Sequence, residues 1–437
     1  MPVIPRLLLP RLRLTGPIER RDATLLLTLA GALITARVPM SFLALLGLPA
    51  VVIAVQGWRR GVRWPLALRR LLAWCAGASL VSVLVFVPQQ LPSTANNFVV
   101  ILAAILMAGA VFSTGRMTRA ADRLLDGLYL GLLLTWAISV FEAVTGFKFI
   151  SVLYPGGNTT AAIVRNRFYV SAFFPNYNDY SVAMVLLCTV ILAKLVFQHD
   201  ASLPVRLGRW AILGSAAFFI THMGSRGCLL GLAAATLVIL ALSVRTLRPR
   251  AIRERAVFCF LLVCSGGAVG LALSPWMQDN SNFQRVAIAQ LIGKVLAGEP
   301  VRTLIGFGSY AEYTRAAGLR FTRTLMDPHN LLIEVVLWYG LPALAFYLAC
   351  WWTVVHRGLL TRRPNPGWRA VSAVTVTALY PLLGVVTSST LRYHLVWLWL
   401  IVAMAHVRRW HLAERAQQLA AADSAQAPAA VPARATS

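Results

Sequence analysis

Acidic residues are scarce in this sequence. Its 437 residues include 15 Asp and Glu against 41 Lys and Arg, and charged residues of both signs make up only 13%. A soluble domain of this length needs far more charge to cover its surface, so the composition argues against one. Few carboxylates also leave few ligands for Mg²⁺ or Mn²⁺, and we therefore expect any chemistry to proceed without a bound metal.

Several motifs of catalysis and cofactor binding are absent as well. No G-x-x-x-x-G-K-[ST] phosphate loop, no H-E-x-x-H pair and no Cys/His cluster with zinc spacing occurs in the sequence. These absences argue against ATP hydrolysis and a zinc site, and no cofactor is implied. The six cysteines form no C-x-x-C pair, and each lies in or at the end of an apolar block, as is typical of packing residues.

Apolar residues, in contrast, make up 58% of the chain and come in blocks about as long as a bilayer is thick. A spanning helix needs roughly 20 mostly apolar residues, with every backbone polar group satisfied within its own segment. The blocks lack the alternation of barrel strands, so we predict an all-α polytopic membrane helix bundle with about twelve transmembrane helices. The blocks lie near residues 23–36, 39–56, 71–88, 97–114, 124–144, 178–197, 209–224, 227–244, 256–274, 329–352, 371–387 and 394–407.

The formal net charge of +26 is better explained by membrane topology than by a nucleic-acid partner, which we do not expect. Arginines gather in alternate loops, which predicts that these loops and both termini are cytoplasmic. We assign residues 1–22 to a basic cytoplasmic N-terminus, 23–407 to the transmembrane bundle, and 408–437 to a cytoplasmic tail that begins as a frayed helix and ends in disorder. The loop arginines include Arg59, Arg60, Arg116, Arg119, Arg123, Arg206, Arg209, Arg245, Arg248, Arg357, Arg362 and Arg369.

Two segments predicted to lie outside are long. One runs from Thr145 to about Tyr177, and the other is a periplasmic loop over 275–328, before the tenth predicted helix. The rule that basic residues gather in cytoplasmic loops applies to short loops and not to long external segments, so the arginines of these two segments need another explanation.

Four polar elements fall at the predicted outer face. Arg226 lies between Gly224 and Gly227, and it is either an interfacial arginine or one with a ligand to bind. Arg285 opens an amphipathic stretch of the long loop, where a solvated residue at a helix start is the simpler interpretation.

The other two elements each precede a predicted span. His329, Asn330 and Glu334 lie where a helix enters the membrane after Pro328, and histidine suits proton transfer near neutral pH. Asn176 and Asn178 can either cap the next helix or hydrogen-bond a sugar hydroxyl.

Together these residues predict a basic outer pocket with one histidine. The planar fork of arginine gives two parallel charge-assisted hydrogen bonds to a phosphate, so a lipid diphosphate is a suitable ligand. A neutral histidine beside it can take a proton from an acceptor hydroxyl while arginines stabilise the departing diphosphate.

The order of these elements resembles that of the O-antigen ligase and O-antigen polymerase superfamily, over roughly residues 100–400. The elements are Gly224-Ser225-Arg226-Gly227, Arg285, Gly306-Phe307-Gly308, Pro328-His329-Asn330 with Glu334, and Tyr339-Gly340. The segment Pro175-Asn176-Tyr177-Asn178 is similar to the family's Asn-Pro-Asn type stretch ahead of a span, although the match is loose.

The resemblance implies an inverting, metal-independent glycosyltransferase acting at the periplasmic face of the bacterial inner membrane. Its donor would be a glycan on undecaprenyl diphosphate, and its acceptor lipid A–core or a growing glycan. By this resemblance His329 is the base or the residue that orients the acceptor, and Arg226 and Arg285 hold the diphosphate. Arg320 and Arg323 are further candidates for substrate binding, as are Asn330, Glu334, Asn176 and Asn178.

The sequence does not separate a ligase from an O-antigen or exopolysaccharide polymerase, because acceptor choice lies in variable loops. A membrane transporter or lipid flippase is the main rival class and predicts charges at mid-membrane together with an inverted repeat. A structural subunit of a polysaccharide export complex is another, but it gives no reason for a histidine beside outer arginines.

Overall fold

The computed structural model of the protein describes residues 64–85, 91–113, 117–149, 167–174, 176–198, 201–244, 280–308, 328–361, 366–386, 391 and 395–426. Every regular element in these ranges is a helix, which confirms the all-α prediction for this part of the chain. In chain order the helices are α1 (Leu66–Val85), α2 (Leu91–Ser113), α3 (Met117–Thr145), α4 (Tyr177–Phe197), α5 (Leu203–His222), α6 (Arg226–Val244), α7 (Asn280–Gly298), α8 (Pro300–Ile305), α9 (Leu331–Val354, followed by a π-helical turn Val355–Leu360), α10 (Trp368–Leu383) and α11 (Leu395–Gln426).

The predicted apolar blocks coincide with these helices wherever the structure describes them. The blocks at 23–36, 39–56 and 256–274 lie outside the described residues. Five helices of the described part are long and apolar enough to cross a membrane, so the chain is a helical membrane protein. They are Arg119–Thr145, Tyr177–Phe197, Leu203–His222, Arg226–Ser243 and Leu331–Leu360.

Helix α4 is the central helix and α5 an outer one. In an apolar stretch of 18 residues within α4, 78% of the residues are buried within the protein, against 28% in the corresponding stretch of α5. The outer side of α5 carries exposed apolar side chains such as Leu203, Leu207 and Trp210. A helix that is apolar on its exposed side as well as its buried side fits a lipid environment. The four described cysteines are buried and free, as expected for packing residues.

Charged side chains join α3, α4, α5 and α10 near one end of the bundle, which we call the Asp126 end. Arg369 of α10 makes two hydrogen bonds to the carboxylate of Asp126 in α3, at 2.9 and 3.0 Å. The ammonium of Lys194 lies 3.8 Å from the ring centroid of Tyr129 and 4.2 Å from that of Trp368. Arg209 of α5 donates to the Gln198 side chain at 2.7 Å. Arg209 and Arg369, which the charge pattern assigns to one side of the membrane, thus lie at one end of the bundle.

Helix α9 is broken in its middle. Gly340 has φ 81° and ψ 174°, which is not helical, and Pro342 follows with no N–H to donate. A side chain at Gly340 would collide with the carbonyl of Leu304, so α8 lies directly against the break. The break divides α9 into an amino-terminal half, Leu331–Tyr339, which we call the outer half after its predicted side of the membrane, and a carboxyl-terminal half beginning at Leu341, which we call the inner half.

Helix α11 extends well beyond the predicted end of its span, to Gln426. The tail is therefore helical from 408 to 426, where the sequence predicts a frayed helix, and residues 427–437 lie outside the described part. This stretch is rich in Ala, Gln, Arg and Glu, which are strong helix formers.

Candidate functional site

The amino-terminal ends of α4 and α6 meet at the end of the bundle opposite Asp126. Asn176 caps α4, and its side-chain oxygen accepts a hydrogen bond from the Asn178 backbone N–H at 2.8 Å. The side-chain oxygen of Asn178 accepts a hydrogen bond from the Ser225 hydroxyl at 3.1 Å. Ser225 is buried and Arg226, the first residue of α6, is half-buried. The two predicted asparagines therefore shape the turn that carries Arg226.

The turn before Arg226 depends on Gly224. Its φ of 64° lies in the left-handed region that glycine adopts without strain, and it allows α5 to reverse into α6 within a few residues. Gly227 lies so close to Val386 that a side chain there would collide with it. This close approach brings the carboxyl-terminal end of α10 beside Arg226.

His329 lies immediately before α9 in an unusual backbone conformation. Its φ is 46°, which is uncommon for a residue other than glycine, although histidine is enriched there. The side chain is buried, and Asn330 caps α9 by accepting hydrogen bonds from the N–H groups of Leu332 at 2.9 Å and Ile333 at 3.2 Å. Backbone strain of this kind costs on the order of 1–3 kcal/mol and clusters at functional sites. It makes His329 the strongest candidate of the set.

Glu334 joins the start of α9 to the connection between α10 and α11. Its side chain is fully buried, and one carboxylate oxygen accepts a hydrogen bond from the Leu391 N–H at 3.0 Å. Val386, only a few residues earlier in that connection, contacts Gly227. The step from Val386 to Leu391 spans at most about 18 Å even when fully extended. Arg226 and His329 therefore lie at the same end of the bundle.

A second buried glutamate, at the end of α3, organises another connection at this end. The carboxylate of Glu142 accepts hydrogen bonds from the N–H groups of Phe149 at 2.9 Å and of Ser171 and Ala172, both at 3.0 Å. Lys148 donates to the carbonyls of Arg167 and Tyr169 at 2.8 and 3.0 Å. Burial lowers the pKa of this ammonium from its usual value, and nearby Glu142 partly opposes that effect. No local pattern in the sequence identifies the partners of Glu142.

The amphipathic stretch after Arg285 forms α7, as the pattern of apolar residues predicts. Ile288, Ile292 and Val295 are buried and pack with Phe307 of the Gly306-Phe307-Gly308 motif and with Leu337 of α9. The long loop before α9 is thus attached to the outer half of that helix. Arg285 lies in α7, but its side chain is outside the described part, as are Arg320 and Arg323 altogether.

The described part of the candidate site consists of the strained His329 and the half-buried Arg226. The helix caps Asn176 and Asn330 and the buried carboxylates of Glu142 and Glu334 lie at the same end of the bundle. Within the described ranges, no three His, Cys, Asp or Glu side chains are grouped so as to hold a metal ion. Comparison of the chain with protein-family models, curated proteins and solved structures finds no match. The resemblance in motif order thus supplies a hypothesis of function, which the geometry of these residues can support or weaken.

Proposed function

We propose that this chain is an O-antigen ligase-like glycosyltransferase of the bacterial inner membrane. It transfers a glycan from undecaprenyl diphosphate to an acceptor, lipid A–core or another surface acceptor, at the periplasmic face. The observation that carries the proposal is that the start of α6, with Arg226, and the start of α9, with the strained and buried His329, lie at one end of the bundle.

The proposed reaction needs no group beyond those of the chain and its substrates. An acceptor hydroxyl attacks the anomeric carbon of the donor, the bond between that carbon and the diphosphate oxygen breaks, and the configuration inverts. His329 takes the proton of the hydroxyl or orients it, and the arginines stabilise the negative charge that grows on the diphosphate. Two arginines are candidates for this role. The structure describes the side chain of Arg226, and the order of the motifs adds Arg285.

In the full proposal the chain has about twelve transmembrane helices, cytoplasmic termini, and the loop 275–328 in the periplasm. Cysteine labelling tests this topology in a variant that lacks the six native cysteines. Val301 of α8 is 69% exposed and Leu412 of α11 is 51% exposed, so a cysteine at either position is accessible to a reagent. A membrane-impermeant maleimide applied from the periplasm should label Val301→Cys, and it should label Leu412→Cys only after lysis. Labelling of Val301→Cys only after lysis would end the proposal.

The decisive test of activity is deletion of the gene followed by analysis of lipids and surface polysaccharide. Loss of glycan-capped lipid A–core, with the lipid-linked glycan accumulating, identifies a ligase. Single repeat units in place of long chains identify the alternative, an O-antigen or exopolysaccharide polymerase. Unchanged glycans would contradict both forms of the proposal.

One observation favours a membrane transporter or lipid flippase as a second candidate, namely the break in α9. Broken helices in transporters leave backbone carbonyls free to coordinate ions near the middle of the membrane. Here the carbonyls of Leu337 and Tyr339 accept hydrogen bonds from Phe307 and Trp74, which leaves them less available to an ion. Unchanged glycans and altered uptake of a solute in the deletion strain would favour this candidate.

A further inference from the structure

At the break in α9, the carbonyls of three consecutive residues, 337 to 339, each contact a group from elsewhere in the chain. The Phe307 N–H donates to the Leu337 carbonyl at 2.6 Å, and the indole N–H of Trp74 donates to the Tyr339 carbonyl at 2.8 Å. Between them, Gly306 lies against the Trp338 carbonyl so closely that a side chain at Gly306 would collide with it. The partners come from α1 and from the segment after α8.

Two of these contacts are hydrogen bonds that carbonyls at the break receive from outside α9. Pro342 has no N–H to offer to the Trp338 carbonyl, and the conformation of Gly340 turns the outer half of α9 away from the inner half. A buried carbonyl without a partner is costly, so an external donor holds the break in one geometry.

The direction of the outer half decides where His329 lies. Leu331–Tyr339 is only about 13 Å long, and His329 and Asn330 precede its first turn. A rotation of about 10° at the break would therefore move His329 by about 2 Å relative to Arg226. Positioning errors of that size lower catalytic rates strongly.

We infer that Trp74 is a positioning residue for the His329 site, which acts through the Tyr339 carbonyl and the outer half of α9. This inference deepens the proposed function and rests on it for the reaction that is affected. In this proposal Trp74 contacts neither the glycan donor nor the glycan acceptor. Its indole sets the angle at which His329 meets the acceptor hydroxyl.

The test compares two tryptophans, Trp74 of α1 and Trp351 of α9, whose indoles each donate a hydrogen bond to a backbone carbonyl. Trp74→Phe keeps an aromatic ring and removes the N–H donor at the break. Trp351→Phe removes the same kind of bond on the inner half of α9, where the indole donates to the Ala378 carbonyl at 3.1 Å. Trp351 is thus a matched control for the loss of one indole hydrogen bond to a backbone carbonyl.

Two measurements are made on the full chain. Membranes carrying each variant are assayed with the lipid-linked glycan that accumulates in the deletion strain as donor. We expect Trp74→Phe to lower kcat by roughly 10- to 100-fold with KM for the donor nearly unchanged, because orientation and not binding is lost. Trp351→Phe should keep the kcat of the wild-type protein.

Hydrogen exchange of the purified protein supplies the second measurement and does not depend on the activity. Faster exchange at Phe307 and across 331–341 in Trp74→Phe, but not in Trp351→Phe, supports the inference. Wild-type exchange in Trp74→Phe, or equal loss of kcat in both variants, overturns it. If the wild-type protein transfers no glycan, the proposed function fails, and the exchange result alone decides whether Trp74 holds the outer half of α9.

Discussion

The carboxylate of Glu334 accepts a hydrogen bond from the backbone N–H of Leu391 at 3.0 Å, across 57 positions of the chain. This bond ties the helix start that follows His329 to the connection between α10 and α11. A carboxylate buried at this depth is expensive unless it is hydrogen-bonded, so the bond helps to hold the start of α9 against that connection.

We therefore expect Glu334→Ala and Glu334→Gln to differ. Glu334→Ala removes the acceptor and leaves the Leu391 N–H buried without it, which should lower the free energy of unfolding by about 1–3 kcal/mol. Glu334→Gln keeps a side-chain oxygen of the same reach and should lose much less. Thermal unfolding of both variants in detergent checks the prediction, and equal stability of the two would contradict it.

His329→Asn separates the chemistry of the imidazole from the conformation of the backbone. Asparagine tolerates the φ of 46° at this position, so stability should stay within about 0.5 kcal/mol of the wild-type value while transfer falls by roughly 100-fold or more. His329→Val should lower stability by about 1–2 kcal/mol, because a β-branched residue is strained at positive φ. Surface polysaccharide and thermal unfolding of each variant are the readouts. Normal polysaccharide in the His329→Asn strain would remove the catalytic assignment.

Arg226 is expected to act through its guanidinium and not only through its charge. Arg226→Ala should abolish transfer, and Arg226→Lys should restore only part of it, because an ammonium cannot make two parallel hydrogen bonds to a phosphate. Both variants should still insert in the membrane. Arg206→Ala, which removes an exposed arginine of α5, is the matched control and should leave transfer unchanged. The amount of capped acceptor in complemented deletion strains measures each effect.

Gly340→Ala should destabilise the protein through the break in α9. The new side chain would meet the Leu304 carbonyl at a φ of 81°, so we expect a loss of at least about 2 kcal/mol in the free energy of unfolding. Gly293→Ala is the control, because Gly293 lies in α7 with no atom near the position of a new Cβ. That variant should gain about 0.5–1 kcal/mol from helix propensity. A Gly340→Ala protein as stable as Gly293→Ala would show that the break is not held by α8.

The Asp126–Arg369 pair should stabilise the opposite end of the bundle independently of transfer. The Asp126 side chain is 3% exposed and the Arg369 side chain 34%, so solvent screens only part of the attraction. A double-mutant cycle of Asp126→Ala and Arg369→Ala should give an interaction energy of about 1–3 kcal/mol. Additive single losses would contradict a direct interaction. Transfer per folded molecule should not change in any variant of the cycle.

Much of this architecture could be predicted from local patterns. The apolar block near 178–197 predicted α4 closely, because a run of that length and composition has few alternatives to a membrane helix. The apolar spacing after Arg285 likewise predicted α7, and Asn176 caps α4, which is one of the two roles that the sequence left open for it. The tail after 407 is helical as far as Gln426, because it is rich in strong helix formers such as Ala, Gln, Arg and Glu.

The sequence by itself determined which segments are helices and which of their residues have chemistry to offer, since both depend on side chains within one turn or one span. Only the tertiary structure decided which of those residues meet. Glu334 is joined to Leu391, Asn178 to Ser225 and Trp74 to Tyr339 over separations of 57, 47 and 265 positions. No periodicity encodes such pairs, because each buried polar group takes whichever partner the packing of distant helices brings within hydrogen-bond distance.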